Sequence, residues 1–180
     1  TDAKLLDYQK KIEQSGKLLL SIINNVLDMA RIESGKMEMD ENVERLGDIL
    51  EEIDGVFASV AKEKNIQFQS EMDVIHKNVV CDGTKVREIV INLVSNALKY
   101  TPDGGTVTIK VKELPGDKEG YIKIKTEASD TGIGMSKDYI PIMFDSFSRE
   151  RNTTIGKIGG TGLGMSIVKR LVDMMGGTIE

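Results

Sequence analysis

Three short strings carry residue types that could do chemistry. The first lies in residues 84–100. At about 100° per residue in a helix, Val86, Ile89, Val90, Leu93 and Ala97 share one face. Glu88, Asn92 and Lys99 fall on the opposite face, and Asn96 lies toward its edge. Asn is a mediocre helix former, so two mid-helix amides one turn apart, followed a turn later by a Lys, suggest more than solvation. A neutral amide oxygen can ligate a hard cation, and an ammonium can meet a phosphate; an ordinary solvated face is the alternative reading. The second string is Asp130-Thr-Gly132-Ile-Gly134. Its glycines let backbone approach a flat or anionic ligand closely, and its carboxylate can accept an N–H from the exocyclic amine of a heterocycle. Taken alone, many turns look the same. The third is Gly159-Gly160-Thr161-Gly162-Leu163-Gly164, just before a helical pattern. Free N–H groups and the positive dipole end would face an anion there, and a flexible hinge is the alternative. No Gly-Lys-Ser/Thr follows, so it is not a Walker loop, and no parallel βαβ pattern surrounds it. Combined, the three strings make a nucleotide site.

These strings need elements to position them. Residues 84–100 predict a helix. Thr106 to Lys112 alternates as a strand, the loop at Pro115 to Gly120 turns the chain, and Tyr121 to Ala128 returns, placing Ile122 and Ile124 inward and Lys123 and Lys125 outward. A final helix runs from about Leu163 to Met175. A short helix is expected over Lys137 to Phe144 despite Pro141, and Thr178 to Glu180 reads as the start of a strand. Upstream, Ile66 to Ser70 and Val79 to Cys81 read as strands. A helix with Ile49, Leu50, Ile53, Val56, Phe57 and Val60 on its apolar face precedes them, with Asp48 as its cap and Glu51 three residues on. Residues 36–46 read as loop, with a domain boundary near Asp40. Before that, Leu5, Tyr8, Ile12, Ser15, Leu19, Ile22, Val26 and Met29 recur at steps of three and four. This heptad seam predicts one long bundle helix that Gly35 ends. The expected fold class is α+β: a two-layer sandwich of a mixed, largely antiparallel sheet with helices on one face, preceded by one long bundle helix.

Composition narrows the function classes. The 180 residues are 39% hydrophobic and 29% charged, the balance of a globular protein. A net charge of −5 argues against a sequence-independent nucleic-acid binder, and one Cys with one His leaves neither a disulfide framework nor a His/Cys metal cluster. No apolar run reaches the ~20 residues of a membrane span, and no signal peptide opens the sequence. The nine Met residues read as core filler and Cys81 as an inert buried thiol.

Four strings in order resemble the ATP-binding domain of bacterial sensor histidine kinases, part of the gyrase, heat-shock chaperone and histidine kinase superfamily. They are Asn92-Leu-Val-Ser-Asn96-Ala-Leu-Lys99-Tyr100-Thr-Pro, Asp130-Thr-Gly-Ile-Gly134, Phe144-Asp-Ser-Phe147 and Gly160-Thr-Gly-Leu-Gly164. Ile23 to Gly35 resembles the second helix of the kinases' dimerisation hairpin. The resemblance implies residues 1–40 as that helix and 41–180 as the ATP-binding catalytic domain, shortened at its C-terminal strands and left with an open sheet edge.

The resemblance also implies roles. Asn96 would ligate Mg²⁺ on the ATP phosphates, with Asn92 in support, and Lys99 would contact phosphate. Tyr100 would meet the sugar or phosphate edge. Asp130 would read the adenine amine, with Gly132 and Gly134 giving the ring room. Residues from about Ser148 to Gly160 would form a lid that Phe144 and Phe147 anchor, with ordinary core packing as the alternative for both Phe, and with Arg149 or Arg151 near phosphate. Gly160, Thr161, Gly162, Leu163 and Gly164 would wrap the phosphates. Hydrolysing relatives carry Glu where this chain has Asn92, and an amide cannot deprotonate water. Phosphoryl transfer to protein is therefore expected; a nucleotide-driven conformational ATPase is the alternative. The acceptor histidine belongs on the hairpin's first helix. His76, between two strands of the nucleotide domain, is not expected to serve, so no phosphoacceptor is expected in this chain. The implied setting is the cytoplasmic part of a homodimeric, membrane-anchored protein with a response-regulator receiver domain as partner.

Overall fold

A computed structural model of the chain describes residues 2–150 and 160–180. Helix α1 (Asp2–Glu33) is the rod that the heptad spacing predicts, 32 residues in length. It ends where Gly35 takes φ +64°, with the Gly35 N–H on the Ile32 carbonyl and the Lys36 N–H on the Arg31 carbonyl. A Cβ in that left-handed conformation costs roughly 1–2 kcal/mol, which explains the glycine. Most of the apolar stripe faces solvent: Leu5, Tyr8, Ile12, Leu19, Ile23, Val26 and Leu27 are exposed. The last turns pack. Met29 is buried, Ile32 and Met37 lie against Leu163, Ile167 and Leu171, and Arg170 Nη2 donates to Glu33 Oε1 at 3.0 Å.

Strands β1 (Asn42–Arg45) and β3 (Asn78–Cys81) form a two-stranded antiparallel ribbon, with Val43 opposite Val80. The loop expected over 36–46 therefore contains a strand. Four residues are too few to show a period, and the partner that makes them a strand lies far downstream. Helix α2 (Leu46–Glu63) starts directly after β1, so Asp48 is not its cap. Its carboxylate receives Arg45 Nη1 at 3.0 Å in the first turn, where the helix dipole favours an acid.

The main sheet joins β2 (Gln67–Asp73), β4 (Thr106–Pro115) and β5 (Ile122–Asp130) in the order β2-β4-β5. β2 runs parallel to β4, and β4 antiparallel to β5. Helices α2 and α3 (Gly83–Tyr100) supply Ile53, Phe57, Val94 and Leu98 to the core that buries Val107 and Ile109. Fully burying one such side chain contributes about 1.5–3 kcal/mol. α3 buries Val94 and Leu98 as well as the expected Val90 and Ala97, while Leu93 is only half-buried. The buried arc is wide because Ile89 also meets a second cluster formed by α4 (Gly164–Met174). α4 packs on α3 and on the end of α1. In place of the helix expected over 137–144 there is one 3-10 turn, Ile140–Ile142, with Pro141 inside it. Thr178 to Glu180 pair with no strand among the described residues. Among those residues β5 pairs with β4 alone.

Candidate functional site

The site is assembled around α3. Its start is fixed by Asp82, a buried acid that the sequence reading missed. Asp82 Oδ1 accepts from the Lys85 N–H at 3.0 Å, and Oδ2 accepts from the Asp40 N–H at 3.0 Å. An Asp just before a helix is a readable cap. Further along, Asn92 Nδ2 donates to the Glu88 carbonyl one turn back at 2.8 Å. That aims Asn92 Oδ1 at the start of α4, where a Cβ on Gly164 would lie 2.8 Å from it. Lys99 Nζ lies beside Gly160, where a Cβ would be 2.5 Å away, and 4.8 Å from the Tyr100 ring centroid, a cation–π distance. Asn92, Asn96, Lys99 and Tyr100 are all half-buried. The amide-and-lysine face and the Gly-rich turn are thus one surface, and glycine at 160 and 164 leaves room for the α3 side chains.

The Asp130 turn closes the other side. Asp130 Oδ1 accepts from the Gly132 N–H at 2.8 Å, the self-bonded turn that Asp favours. A Cβ on Gly132 would lie 2.6 Å from the Tyr100 carbonyl oxygen, and the Ile133 N–H donates to that same oxygen at 3.3 Å. Gly132 therefore lets the turn dock on the last carbonyl of α3. Gly134 takes φ +67° with open space around it. Asp130 is exposed at the sheet's end.

Near the expected lid, Phe147 has φ +63°, and its N–H donates to the Gly162 carbonyl at 2.9 Å. A Cβ on Gly162 would lie 2.8 Å from the Ser148 carbonyl oxygen. Phe147 is exposed and Phe144 half-buried, so Phe147 anchors this segment through its backbone. Glu150 Oε1 accepts from the Ser136 N–H at 3.1 Å. Arg149 is exposed on the same stretch. Arg151 and the rest of the expected lid to residue 159 lie outside the described residues. At the start of α4, Thr161 Oγ1 accepts from the Leu163 N–H at 3.2 Å. Leu163, at the N-cap, gives no side-chain acceptor. First-turn N–H groups at a positive dipole end suit an anion. Burial of Leu163, Ile167 and Leu171 holds that end in place.

Two more residues were not read from the sequence. Thr101, buried, donates from Oγ1 to the Ala97 carbonyl at 2.7 Å. Lys64 Nζ donates to the Leu98 carbonyl at 2.7 Å. Thr101 closes the Asn92 string without a role of its own, and Lys64 stands in no string. Among the described residues no group of three His, Cys, Asp or Glu side chains could hold a metal. The Asn96 amide is a hard oxygen donor. It fits a Mg²⁺ that takes its remaining ligands from phosphate and water, as that ion commonly does.

The unpromoted residues have structural places. Glu113 Oε2 accepts from the Ile75 and His76 N–H groups at 2.8 Å each, and the His76 ring Nδ1 lies 2.8 Å from Oε1. These contacts, the His76 backbone bond foremost, hold the Glu113 carboxyl below its ordinary range. Cys81 is half-buried, and burial pushes its thiol pKa up, followed by the nearby Glu44 and Asp82 charges.

Residues 81–180 match the family described as histidine kinase-, DNA gyrase B- and HSP90-like ATPase. The sensor histidine kinase GacS of Pseudomonas protegens is 36% identical over 97% of this chain and 19% of its own length. The autoinducer 2 sensor kinase/phosphatase LuxQ of Vibrio parahaemolyticus is 31% identical over 94% of this chain and 20% of its own. The chain thus spans about a fifth of the length of these relatives. Among solved structures, full-length ShkA in complex with AMPPNP superposes with a TM-score of 0.78 at 27% identity, covering 94% of this chain and 34% of ShkA. Histidine kinase ThkA in complex with the response regulator TrrA shares the fold, with a TM-score of 0.64 at 20% identity over 96% of this chain and 45% of that one. No described helix is long and apolar enough to cross a membrane. The sheet and its covering helices, the three strings gathered at the end of α3 and the match over residues 81–180 agree: the chain belongs to the histidine kinase-, DNA gyrase B- and HSP90-like ATPase family, homologous to sensor histidine kinase catalytic domains.

Proposed function

We propose that this chain is the part of a sensor histidine kinase that binds Mg-ATP and presents its γ-phosphate to a histidine on a hairpin helix outside residues 1–180. The phosphoryl group then passes to an aspartate of a response-regulator receiver domain. The observation that carries this reading is the meeting of Lys99 with Gly160 and of Asn92 with Gly164, beside the Asp130 turn docked on Tyr100. Bound Mg-ATP supplies the transferable phosphoryl group and a counter-charge to its own phosphates. The chain's residues do the rest, which in phosphoryl transfer is positioning and charge stabilisation. Asp130 reads the adenine amine. Asn96 holds the cation, Asn92 orients beside it, and Lys99 and Arg149 meet phosphate. Gly160, Thr161, Gly162, Leu163 and Gly164 line the phosphate path, and Tyr100 borders the sugar. With an amide at 92, no carboxylate of that helical turn stands ready to activate water, so transfer to protein is favoured over hydrolysis.

Residues 1–40 are the hairpin's second helix and 41–180 the catalytic domain of this reading. The exposed stripe on α1 supports a homodimer in the whole protein, since an exposed apolar stripe seeks a partner. The relatives named as sensor kinases support the cytoplasmic side of a membrane-anchored protein as its place. Titration calorimetry with a non-hydrolysable ATP analogue tests the reading. Binding is expected to need Mg²⁺ and to weaken at least tenfold, or about 1.4 kcal/mol, in Asp130→Ala. Labelled ATP should then transfer its γ-phosphate to an added hairpin that carries an acceptor histidine. An absence of nucleotide affinity would sink the reading. Steady phosphate release without an acceptor would replace it by the ATPase alternative.

A further inference from the structure

The last turn of α3 ends in four carbonyls, Ala97 to Tyr100, and the helix's own C-cap N–H meets only the first of them. Each has a donor in this fold. The Ala97 carbonyl accepts from the Thr101 N–H at 3.0 Å and from Thr101 Oγ1 at 2.7 Å. The Leu98 carbonyl accepts from Lys64 Nζ at 2.7 Å, and the Lys99 carbonyl lies 3.5 Å from the same ammonium. The Tyr100 carbonyl accepts from the Ile133 N–H. Two of the four thus depend on one side chain from another helix. Lys64 is well placed for this. It is the C-cap of α2, its N–H bonds the Val60 carbonyl, and its own carbonyl accepts from the Gly104 N–H at 3.4 Å. The residue is half-buried. A compact ammonium matches the partial negative charge that gathers at a helix C-terminus.

That same turn carries both halves of the site. Lys99 extends from it to Gly160, and the Tyr100 carbonyl holds the turn that follows Asp130. A small rotation of this turn would displace the phosphate side and the adenine side together. We propose that Lys64 is a positioning residue of the nucleotide site: its ammonium caps α3 and thereby sets Lys99 and the Asp130 turn at their working separation. The inference rests on the nucleotide reading above.

The test measures affinity for an ATP analogue with Mg²⁺ by titration calorimetry on the 180-residue chain, well below its melting temperature. Lys64→Met, which keeps an unbranched stem one atom shorter and loses the charge and donors, should bind about three- to tenfold more weakly while remaining folded by circular dichroism. Lys64→Arg should recover most of the affinity. Leu50→Val, at the far end of α2 some 20 Å away at ~1.5 Å per residue, should lower the melting temperature without moving the affinity. If Lys64→Met does not fold, Lys64→Gln, which retains a neutral donor, should show the intermediate loss. Wild-type affinity in a folded Lys64→Met or Lys64→Gln would overturn the inference alone, as would an equal loss in Leu50→Val. A wild-type chain that fails to bind the analogue would overturn the nucleotide reading and this inference with it.

Discussion

Helices α1 and α3 are both amphipathic, yet their apolar faces meet opposite fates. In α1 the stripe is exposed along most of its length: Leu19 is 58% accessible. In α3 the equivalent residues lie between the sheet and α4, and Leu98 is 2% accessible. Periodicity predicts both helices, and it says nothing about whether a partner surface exists. The difference also separates two uses of a helix. α1 presents its face, whereas α3 is clamped at both ends, by Asp82 at one and by Lys64, Thr101 and Ile133 at the other, so that its polar side is held still.

The same substitution made in both helices breaks or sharpens this contrast. Leu98→Ala should cost about 2–5 kcal/mol in chemical denaturation, because it leaves a cavity in a filled core. Leu19→Ala should stay within about 0.5 kcal/mol, while lowering any self-association seen by light scattering. Equal costs would mean that the α1 face is covered in solution. A glycine pair gives a smaller contrast of opposite sign. Gly132→Ala places a Cβ against the Tyr100 carbonyl, and such overpacking costs typically about 1–3 kcal/mol; nucleotide affinity should fall with it. Gly16, inside α1, has nothing within 4 Å of a Cβ. Gly16→Ala should stabilise α1 by about 0.8–1 kcal/mol through helix propensity, read as a gain in helical ellipticity.

The smallest effect concerns pH. The folded Glu113 carboxyl titrates below its ordinary range. Its hold on the Ile75 and His76 amides is therefore complete above that range and lost as pH falls through the lowered folded value. Amide protection at Ile75 and His76, taken relative to the intrinsic exchange rate at each pH, should fall in that acidic window, and Glu113→Gln should remove the step. A step of unchanged size in Glu113→Gln would assign it to another group.

Much of the fold was readable because its signals are local. The α1 heptads, the Gly35 stop, the alternation of β4 and the Gly-rich approach to α4 each lie within one short window. The misses share a cause. β1 is a strand through pairing with β3, α2 starts two residues before the residue that looked like its cap, and Pro141 permits a single 3-10 turn. In the site, Asn92, Lys99, Asp130 and the glycines were marked by type and spacing. Lys64 was not, because a donor to a distant carbonyl leaves no pattern in its own neighbourhood; Thr101 was not, because its bond back to Ala97 is one that Thr commonly makes at a helix end and marks no chemistry.

By itself the sequence determined which residue types were available and which periods the chain would follow, since both depend on neighbours a few positions apart. It determined a nucleotide-suited set of amides, a lysine, an aspartate and glycines. The tertiary structure decided what those glycines accommodate: the Tyr100 carbonyl at Gly132, the Lys99 ammonium at Gly160, and Asn92 at Gly164. It also decided that the end of α3 is held by α2 and by the Asp130 turn. These are contacts between residues 32 to 72 positions apart in the chain, made only once the hydrophobic core has brought the elements together, and no local rule encodes them.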